Sequence, residues 1–275
     1  MAEPFLTFLT DFGDTAPATC RGVIWSILPG ARINDLTHGT RPFGIREAAF
    51  LLWSSLPYQP VGVHLAVVDP GVGTSRRGIA IEVARGDRLV GPDNGLLLPA
   101  AERLGGVGAA HVLDNRALWR ASVSHTFHGR DIFAPVAAHL AAGTPIAETG
   151  PAIDPGDLVA LAFPQPAVRD GALETSVLFV DSFGNVRLGG RPADLEAAIG
   201  PLTLGRELVL EFPAFGEAAA TVERTIWERT FGRVPVGASL LMSDSEGHLS
   251  LADNQGDAAK RLGLTLDRPV IIGPA

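Results

Sequence analysis

Residues 61–77 read VGVHLAVVDPGVGTSRR, an apolar run that stops at an acid, turns on glycine and proline, and ends on two adjacent arginines. A short unbroken apolar run bounded by turn residues is typical of a strand that is buried on both faces. Gly71 and Gly73 in the turn allow the backbone to approach a ligand closely. The segment therefore predicts a buried strand whose carboxyl end presents Asp69 and, after the turn, Arg76.

The same strand pattern recurs around this segment and alternates with helical patterns. FLTFLTD at residues 5–11 predicts a strand that ends on Asp11, and the stretches at 17–30 and 43–57 have helical spacing and stop at prolines. Strands that alternate with helices predict a mostly parallel sheet flanked by helices. Ligands bind beyond the carboxyl ends of the strands in such sheets, and Asp11 and Asp69 both fall there.

The composition of the chain changes between residues 143 and 170, where five prolines occur and the apolar residues have little periodic spacing. This composition is typical of a connection between domains. Short strand patterns follow it at close intervals, which predicts a small antiparallel, barrel-like β domain. We therefore expect an α/β fold with an N-terminal α/β domain at 1–165 and a C-terminal β domain at 166–275.

Composition excludes several classes of function. The 275 residues include 22 Lys and Arg against 30 Asp and Glu, a formal charge of −8, which argues against a nucleic-acid partner. Cys20 is the single cysteine, so neither a disulfide framework nor a zinc–thiolate cluster is expected, and a reducing compartment fits. No secretion signal and no apolar run of roughly 18 residues occurs, so we expect a cytoplasmic protein without a membrane partner.

Acidic residues at strand ends allow two interpretations. Asp11 in TDFG either accepts hydrogen bonds from a ribose diol, as acids do in nucleotide-binding folds, or serves as a loop or capping acid. Asp69 and Arg76 form either a structural salt bridge or a catalytic pair, because a nearby cation keeps a carboxylate ionised. The spacing alone leaves both alternatives open.

A cluster of titratable side chains lies just before a helical pattern, in the stretch SHTFHGRDIFAP at residues 124–135. His125, His128 and Asp131 are of the types that bind transition metals. The alternatives are one catalytic histidine with helix-capping groups, or a purely structural role. In the C-terminal part, DSFGN and SDSEGHLSLADNQG are typical of hairpin turns, although Phe183 and Asn185 have the ring and amide that would suit an adenine.

Six motifs together carry a family resemblance: TDFG, DPGVGTSRR, GPDNG, TFHGRDIFAP, DSFGN and NQGDAA. Their order and approximate spacing resemble those of the S-adenosyl-L-methionine (SAM) hydroxide adenosyltransferases, SAM hydrolases that are related to the SAM-dependent fluorinase and chlorinase. The resemblance implies a homotrimer with active sites between subunits. It also implies attack of water-derived hydroxide on the ribose C5′ of SAM, which releases adenosine and L-methionine with no metal and no cofactor.

The resemblance also assigns site residues. The Asp-Arg-His triad of the family falls on Asp69, Arg76 and His128. The implied substrate-binding set is Asp11 at the ribose hydroxyls, Asp181 and Ser245 at the methionine amino and carboxylate groups, Phe183 and Asn185 at the adenine, and in addition Phe43, Gly129, Glu246 and Gln255.

Elementary chemistry agrees with such a triad. The leaving group departs from a sulfonium as a neutral thioether, so the reaction needs no general acid. Water, with a pKa of about 15.7, is a poor nucleophile, and a positioned base with cations beside it is useful. The charge of Asp69 disfavours halide attack by repulsion. Alternatives that stay open are a halogenase, a metal-dependent hydrolase on His125, His128 and Asp131, and a non-catalytic SAM- or adenosine-binding protein.

Overall fold

A six-stranded sheet forms the centre of the N-terminal unit in the computed structural model, which describes residues 3–275. The chain divides into two compact units, the first ending at Ala162 and the second beginning at Phe163. The strands of the first unit are β1 (Phe5–Thr10), β2 (Arg32–Thr37), β3 (Val63–Val67), β4 (Gly78–Val83), β5 (Arg88–Pro92) and β6 (Val107–Val112). Its helices are α1 (Ala16–Ile27), α2 (Ile45–Ser55), α3 (Leu98–Arg103) and α4 (Ala134–Ala141), and a π-type turn at Gly129–Phe133 leads into α4.

The strand order is β2-β1-β3-β5-β4-β6. Strand β1 pairs in parallel with β2 and β3, and β3 with β5, whereas β4 is antiparallel to both β5 and β6. This confirms the predicted mostly parallel sheet. Because Thr10 lies opposite Val67 in the register, the chain segments that leave β1 and β3 emerge side by side.

Both faces of the central strands are covered. Leu6 and Phe8 of β1 share one core with Val63 and Leu65 of β3 and with residues of α1 and α4. Leu9 points to the other face, where it is fully buried outside that core. Helices α2 and α3 pack against each other, and α2 also packs against β1. Alternating side chains of period two are expected to fill two opposite faces in this way.

Helix α3 is shorter than the sequence pattern predicts. The stretch at 94–106 has helical spacing, yet the helix spans only Leu98–Arg103. Asn94 begins the stretch with a turn instead, accepting a hydrogen bond from the backbone N–H of Leu96. Gly105 and Gly106 both have positive φ and end it, which is a backbone conformation that glycine adopts readily.

Eight strands and two helices form the C-terminal unit within the described residues. The strands are β7 (Ala167–Arg169), β8 (Ala172–Val180), β9 (Val186–Leu188), β10 (Glu207–Phe212), β11 (Thr221–Trp227), β12 (Ser239–Ser243), β13 (Leu249–Asp253) and β14 (Pro269–Pro274). The helices are α5 (Pro192–Ile199) and α6 (Ala258–Leu262).

This second sheet closes on itself. Its order is β14-β10-β11-β12-β13-β9-β8-β7, and β14 also pairs with β8, so seven strands form a barrel-like ring to which β7 is added. Leu208, Leu210 and Phe212 alternate along β10 and point into the core of the ring. The predicted antiparallel, barrel-like domain is confirmed, except that β11 and β12 run parallel at Ile226 and Trp227. None of the helices within residues 3–275 has the length and apolar character that a membrane crossing requires.

Candidate active site

The turn after β3 brings Arg76 back onto Asp69. The backbone N–H of Val72 donates to the carbonyl of Asp69, and that of Thr74 donates to the carbonyl of Gly71, so the turn is closed by its own hydrogen bonds. The Nε of Arg76 lies 3.0 Å from Oδ1 of Asp69 and the Nη2 lies 2.5 Å from Oδ2, a two-point ion pair between side chains that are almost fully buried. Such bidentate pairs fix geometry as well as charge.

His128 completes a cluster with this ion pair. It immediately precedes the π-type turn, and its Nδ1 lies 3.3 Å from Nη2 of Arg76. Because a guanidinium only donates, the Nδ1 of His128 acts as the acceptor and its proton resides on Nε2. Burial of the ring, and next the positive charge of Arg76, lower the pKa of His128 below its ordinary value. The imidazole is therefore neutral at neutral pH, and Arg76 bridges it to Asp69.

The cluster borders a small cavity of about 160 Å³ in the N-terminal unit. Its walls come from the end of β3, from the chain segments after β1 and β3, from the residues before α2 and from the segment that carries His128. The lining residues are Asp11, Phe12, Phe43, Val67, Asp69, Val72, Thr126, Phe127, His128 and Gly129. The structure thus brings Asp69, His128, Asp11, Phe43 and Gly129 of the expected site to one cavity, with Arg76 bonded to its wall.

Asp11 and Phe43 are directly linked at the mouth of this cavity. Oδ2 of Asp11 accepts a hydrogen bond of 2.9 Å from the backbone N–H of Phe43. Phe43 has φ of 66°, a left-handed conformation that is strained for a bulky residue, and its ring is 71% exposed. The carboxylate of Asp11 therefore holds the backbone that presents the Phe43 ring, and its Oδ1 takes no part in this hydrogen bond.

Five wall residues were not predicted as site residues by the sequence analysis: Phe12, Val67, Val72, Thr126 and Phe127. The rings of Phe12 and Phe127 meet edge to face, with centroids 5.6 Å apart. A signal for them exists, because each lies inside or beside one of the motifs TDFG, DPGVGTSRR and TFHGRD. They were missed because they carry no charge and the sequence was searched for titratable side chains.

Arg77, which follows Arg76 in the sequence, binds a carboxylate in a neighbouring turn. Arg77 donates through Nε and Nη2 to Oδ2 of Asp93, at 2.8 and 2.5 Å, and through Nη2 to the carbonyl of Asp157. Next to Asp93, the side chain of Asn94 donates to the carbonyl of Val68, the residue before Asp69. GPDNG therefore supports the turn that carries Asp69.

The metal-site interpretation finds no support in the geometry. Both oxygens of Asp131 are occupied by hydrogen bonds from Arg130, Arg120 and the backbone N–H of Ser124. Within residues 3–275, no three His, Cys, Asp or Glu side chains are grouped so that they could hold a metal ion. His125, His128 and Asp131 are thus not arranged as a ligand set.

Residues expected at the methionine and adenine groups lie in the C-terminal unit. Asp181, Asn185 and Ser245 line a cavity of about 350 Å³ there, whose lining also includes Arg187, Arg229, Thr230, Phe231 and Asp244. Sequence inspection did not single out these five additional residues. The two arginines and the ring of Phe231 give this cavity groups that suit an anion and an aromatic base.

Asp181 also organises its own turn. Its carboxylate accepts from the backbone N–H of Phe183 at 2.8 Å, from the backbone N–H of Asn185 at 3.0 Å and from the side-chain amide of Asn185 at 2.8 Å. The hairpin-turn interpretation of DSFGN is therefore correct for Asp181. The Phe183 ring is 75% exposed at the tip of this turn.

Glu246 and Gln255 occupy turns in the same unit. The backbone N–H of Glu246 donates to Oδ1 of Asp244, and Gln255 has φ of 56° in the turn that follows β13. Among the described residues that line the 350 Å³ cavity, Phe183, Glu246 and Gln255 do not appear.

Comparison with known proteins gives consistent matches over most of the chain. Residues 6–150 match the model of the SAM hydroxide adenosyltransferase N-terminal domain, and residues 175–271 match that of the C-terminal domain. The chain is similar to proteins named (R)-S-adenosyl-L-methionine hydrolase. One from Salinispora tropica is 47% identical over 95% of each chain, and one from Thermus thermophilus is 40% identical over 96% of this chain and 97% of the relative.

More distant matches agree with these. A protein named fluorinase from an Actinoplanes species is 30% identical over 94% of this chain and 93% of the relative. The crystal structure of an uncharacterized conserved protein from Thermotoga maritima superposes with a TM-score of 0.86 at 34% identity, covering 98% of this chain and 99% of that one.

Proposed function

The chain belongs to the SAM hydroxide adenosyltransferase family, and on that premise we propose that it is an enzyme that hydrolyses SAM to adenosine and L-methionine. Relatives at 40 to 47% identity carry the name (R)-S-adenosyl-L-methionine hydrolase. The observation that carries the proposal is the contact of Asp69, Arg76 and His128 at the wall of a cavity that also contains Asp11.

The proposed reaction needs an activated water and little else. Its oxygen attacks C5′ of the ribose, and the C5′–S bond breaks with its electron pair passing to sulfur, which leaves as the neutral thioether of methionine. Asp69 accepts a hydrogen bond from the water and orients it, while Arg76 stabilises the negative charge that develops on its oxygen. The proton that the water loses passes through this cluster to solvent. Asp69, Arg76 and His128 thus supply orientation and charge.

Asp11 and Phe43 would hold the ribose side of the substrate. Oδ2 of Asp11 is used by the backbone of Phe43, so Oδ1 is the oxygen that we propose for the ribose hydroxyls. A charged acceptor makes stronger hydrogen bonds to hydroxyl groups than a neutral one does. Gly129 lies in the same wall, where a Cβ would come within 2.8 Å of the Phe12 ring. That wall therefore has no room for a side chain.

Halide transfer is the alternative that the fluorinase relatives raise. A halide placed about 4 Å from the Asp69 carboxylate would meet a repulsion of about 4 kcal/mol at an effective dielectric constant of about 20. Arg76, which is ion-paired with Asp69, offsets only part of this repulsion. Neutral water meets no such repulsion, which favours hydrolysis.

The remaining substrate contacts belong to the proposal as well. Asp181, Phe183, Asn185, Ser245, Glu246 and Gln255 are the residues proposed for the methionine and adenine groups. We also propose a cytoplasmic homotrimer with active sites at subunit interfaces, consistent with the largely exposed rings of Phe43 and Phe183. Light scattering coupled to size exclusion would give three times 28.8 kDa for this assembly. A monomer would contradict it.

Incubation of the purified protein with SAM tests the activity directly. Chromatography should show adenosine and methionine appearing in equal amounts, and Asp69→Asn is the control that keeps the shape of the site. Activity that disappears after EDTA treatment would favour the metal-dependent alternative, and 5′-halo-5′-deoxyadenosine in halide buffer would favour the halogenase. SAM binding without any product would identify a binding protein instead.

A further inference from the structure

The segment that carries His128 has no regular structure of its own. Residues 119–127 contain neither helix nor strand, and they lead directly to His128 and the π-type turn. An irregular segment needs side-chain partners for its backbone, because no ladder supplies them. Asp131 supplies these partners.

Asp131 is a fully buried carboxylate in the π-type turn that follows this segment. Oδ1 accepts from Nη1 of Arg120 at 2.8 Å and from Nε of Arg130 at 2.6 Å. Oδ2 accepts from Nη2 of Arg130 at 2.8 Å and from the backbone N–H of Ser124 at 2.9 Å. The backbone carbonyl of Asp131 also accepts from the N–H of Arg120 at 3.0 Å. One residue therefore closes the segment at two points, residues 120 and 124.

The carboxylate stays charged under all ordinary conditions. Burial by itself would raise the pKa of Asp131, but hydrogen bonds from Arg130, from the Ser124 N–H and from Arg120 outweigh it and lower the pKa to about 2. The two arginines compensate the buried negative charge, which a lone carboxylate at this depth would not tolerate. The network is therefore permanent near neutral pH.

The π-type turn also contacts Arg76, the residue that lies against Nδ1 of His128. The backbone N–H of Ala134 donates to the carbonyl of Gly129, an i to i+5 bond that widens the helix start. Two residues after Asp131, the ring of Phe133 lies under the guanidinium of Arg76, 5.1 Å from its centroid. Asp131 thus lies between His128 and the ring on which Arg76 rests.

From this arrangement we infer that Asp131 is a positioning residue for the hydrolysis, a buried carboxylate that holds the imidazole of His128 at its contact with Arg76. The inference rests on the proposed function. Asp131 does not line the cavity, so it acts through His128 rather than on the substrate. Displacement of a reacting group by about 1 Å costs on the order of 100-fold in rate, which sets the scale of the effect.

A matched control exists at another place in the same unit. Asp87 is also fully buried, with two hydrogen bonds from Arg85, one from the backbone N–H of Gly62 and a contact of 2.9 Å to Nε2 of His64. It directly precedes β5 and is absent from the lining of the cavity. Asp87→Asn therefore removes an equivalent charge without touching the segment of His128.

The first experiment compares steady-state kinetics of Asp131→Asn and Asp87→Asn with the wild type. Both variants should lose thermal stability, because both remove a fully buried carboxylate that is the charge partner of neighbouring arginines. Only Asp131→Asn should lower kcat, by about 10- to 100-fold, with KM changed less than about threefold. Equal kcat values for both variants, or a rise in KM alone, would overturn the inference.

A second variant guards against misfolding of the first. Arg120 is 43% exposed, so Arg120→Gln removes one hydrogen bond to Asp131 at little risk to the fold. It should lower kcat in the same direction by a smaller factor. In a His128→Ala background the same change should have no further effect on kcat, because the group that it positions is gone. A full additional loss there would show a merely structural role.

The nitrogen signals of His128 separate this inference from the proposed function. If the wild type releases no adenosine, the proposed function fails, and nuclear magnetic resonance of the ligand-free protein still tests the positioning. Arg120→Gln and Asp131→Asn should shift the imidazole signals of His128, whereas Asp87→Asn should leave them in place. Unmoved His128 signals in both of the first two variants would refute the role of Asp131.

Discussion

Arg76 and Arg77 are neighbours in sequence, yet their guanidinium groups bind two different carboxylates. Successive side chains of an extended chain point to opposite sides, so one arginine reaches Asp69 and the other reaches Asp93. The pairing of Asp69 with Arg76 could be predicted, because a turn with two glycines separates them. The pairing of Arg77 could not, since Asp93 lies 16 positions further along the chain. The sequence therefore predicts ion-pair partners that are close along the chain, but not those that the fold brings together.

Asp69→Asn tests the charge of the proposed nucleophile site. The amide keeps the shape of the side chain but is a weaker acceptor and no longer an anionic partner for Arg76. We expect kcat to fall by about 100- to 10,000-fold, the usual contribution of a positioned base, with adenosine affinity retained. Stopped chromatographic assays give the rate and calorimetry gives the affinity. Unchanged turnover would remove Asp69 from the mechanism.

Asp11→Ala tests the ribose contact and the anchor of Phe43 together. Charge-assisted hydrogen bonds contribute about 1.5 to 3 kcal/mol each, so the dissociation constant for adenosine should rise at least tenfold. Asp11→Asn separates the two roles, because its amide oxygen still accepts the N–H of Phe43 while the negative charge is gone. Calorimetric titration with adenosine measures both variants. Wild-type affinity in Asp11→Ala would refute the ribose assignment.

At the scale of the elements, the turn after β3 contacts the segment that carries His128 at Gly73. Gly73 has φ of 77°, and a Cβ on it would lie 2.5 Å from the carbonyl oxygen of His125. The turn that carries Arg76 therefore packs directly on the segment that carries His128. This contact involves backbone atoms, which is why the spacing of side chains in the sequence gave no indication of it.

Gly73→Ala should separate these two loops. The left-handed conformation alone costs an added Cβ about 1 to 2 kcal/mol, and the clash adds displacement of the backbone of His125. Gly171→Ala is the control, because its φ of 74° is similar and nothing lies within 4 Å of its Cβ position. Both variants should be less stable by thermal unfolding. A large loss of kcat is expected for Gly73→Ala alone, and equal kcat values would show that the loop contact does not matter.

The strands and helices agree with those predicted from the sequence where the spacing of apolar residues is regular. The parallel strands β1 and β3 and helix α2 are predicted by buried runs and amphipathic spacing. The π-type turn before α4 was not predicted, because an i to i+5 bond has no periodic signature in the side chains. The parallel β11–β12 pair was missed for a different reason. The relative direction of two strands depends on the connection between them and not on their composition.

At the scale of the whole molecule, the residues of the expected site are divided between two units. Asp11, Asp69 and His128 share one cavity in the first unit, and Asp181 and Ser245 share another in the second. Strand-end reasoning found Asp11 and Asp69, since parallel strands present their carboxyl ends together. His128 precedes a helix and was assigned to the site by the family resemblance. The second group followed only from the family motifs, because turns of an antiparallel barrel have no preferred functional edge.

Stability of the whole protein should fall with acid in two windows. Burial lowers the pKa values of His38, His128 and His248 below 6.5, so the unfolded chain binds protons that the folded chain does not. The contribution of these histidines is complete above pH 6.5 and is lost as pH falls toward their folded values. Melting temperatures should therefore drop between pH 7 and pH 5. His128→Gln should reduce that drop, and a flat profile would contradict the histidine contribution.

The second window belongs to two buried carboxylates. Hydrogen bonds and ion pairs outweigh burial and hold the pKa values of Asp87 and Asp131 well below 3.8. Their contribution is present above that value and disappears as pH falls further. Circular dichroism below pH 4 should show a second loss of structure, which Asp87→Asn would diminish.

The wide turn at Gly129–Phe133 has a consequence for insertions and deletions. A regular helix advances by about 100° per residue, so removal of one residue here would convert the wide turn to ordinary winding and rotate everything before it by about that angle. The imidazole would then swing away from its guanidinium neighbour although every side chain of the site was still encoded. Chain length at this point is thus a constraint of its own, separate from residue identity.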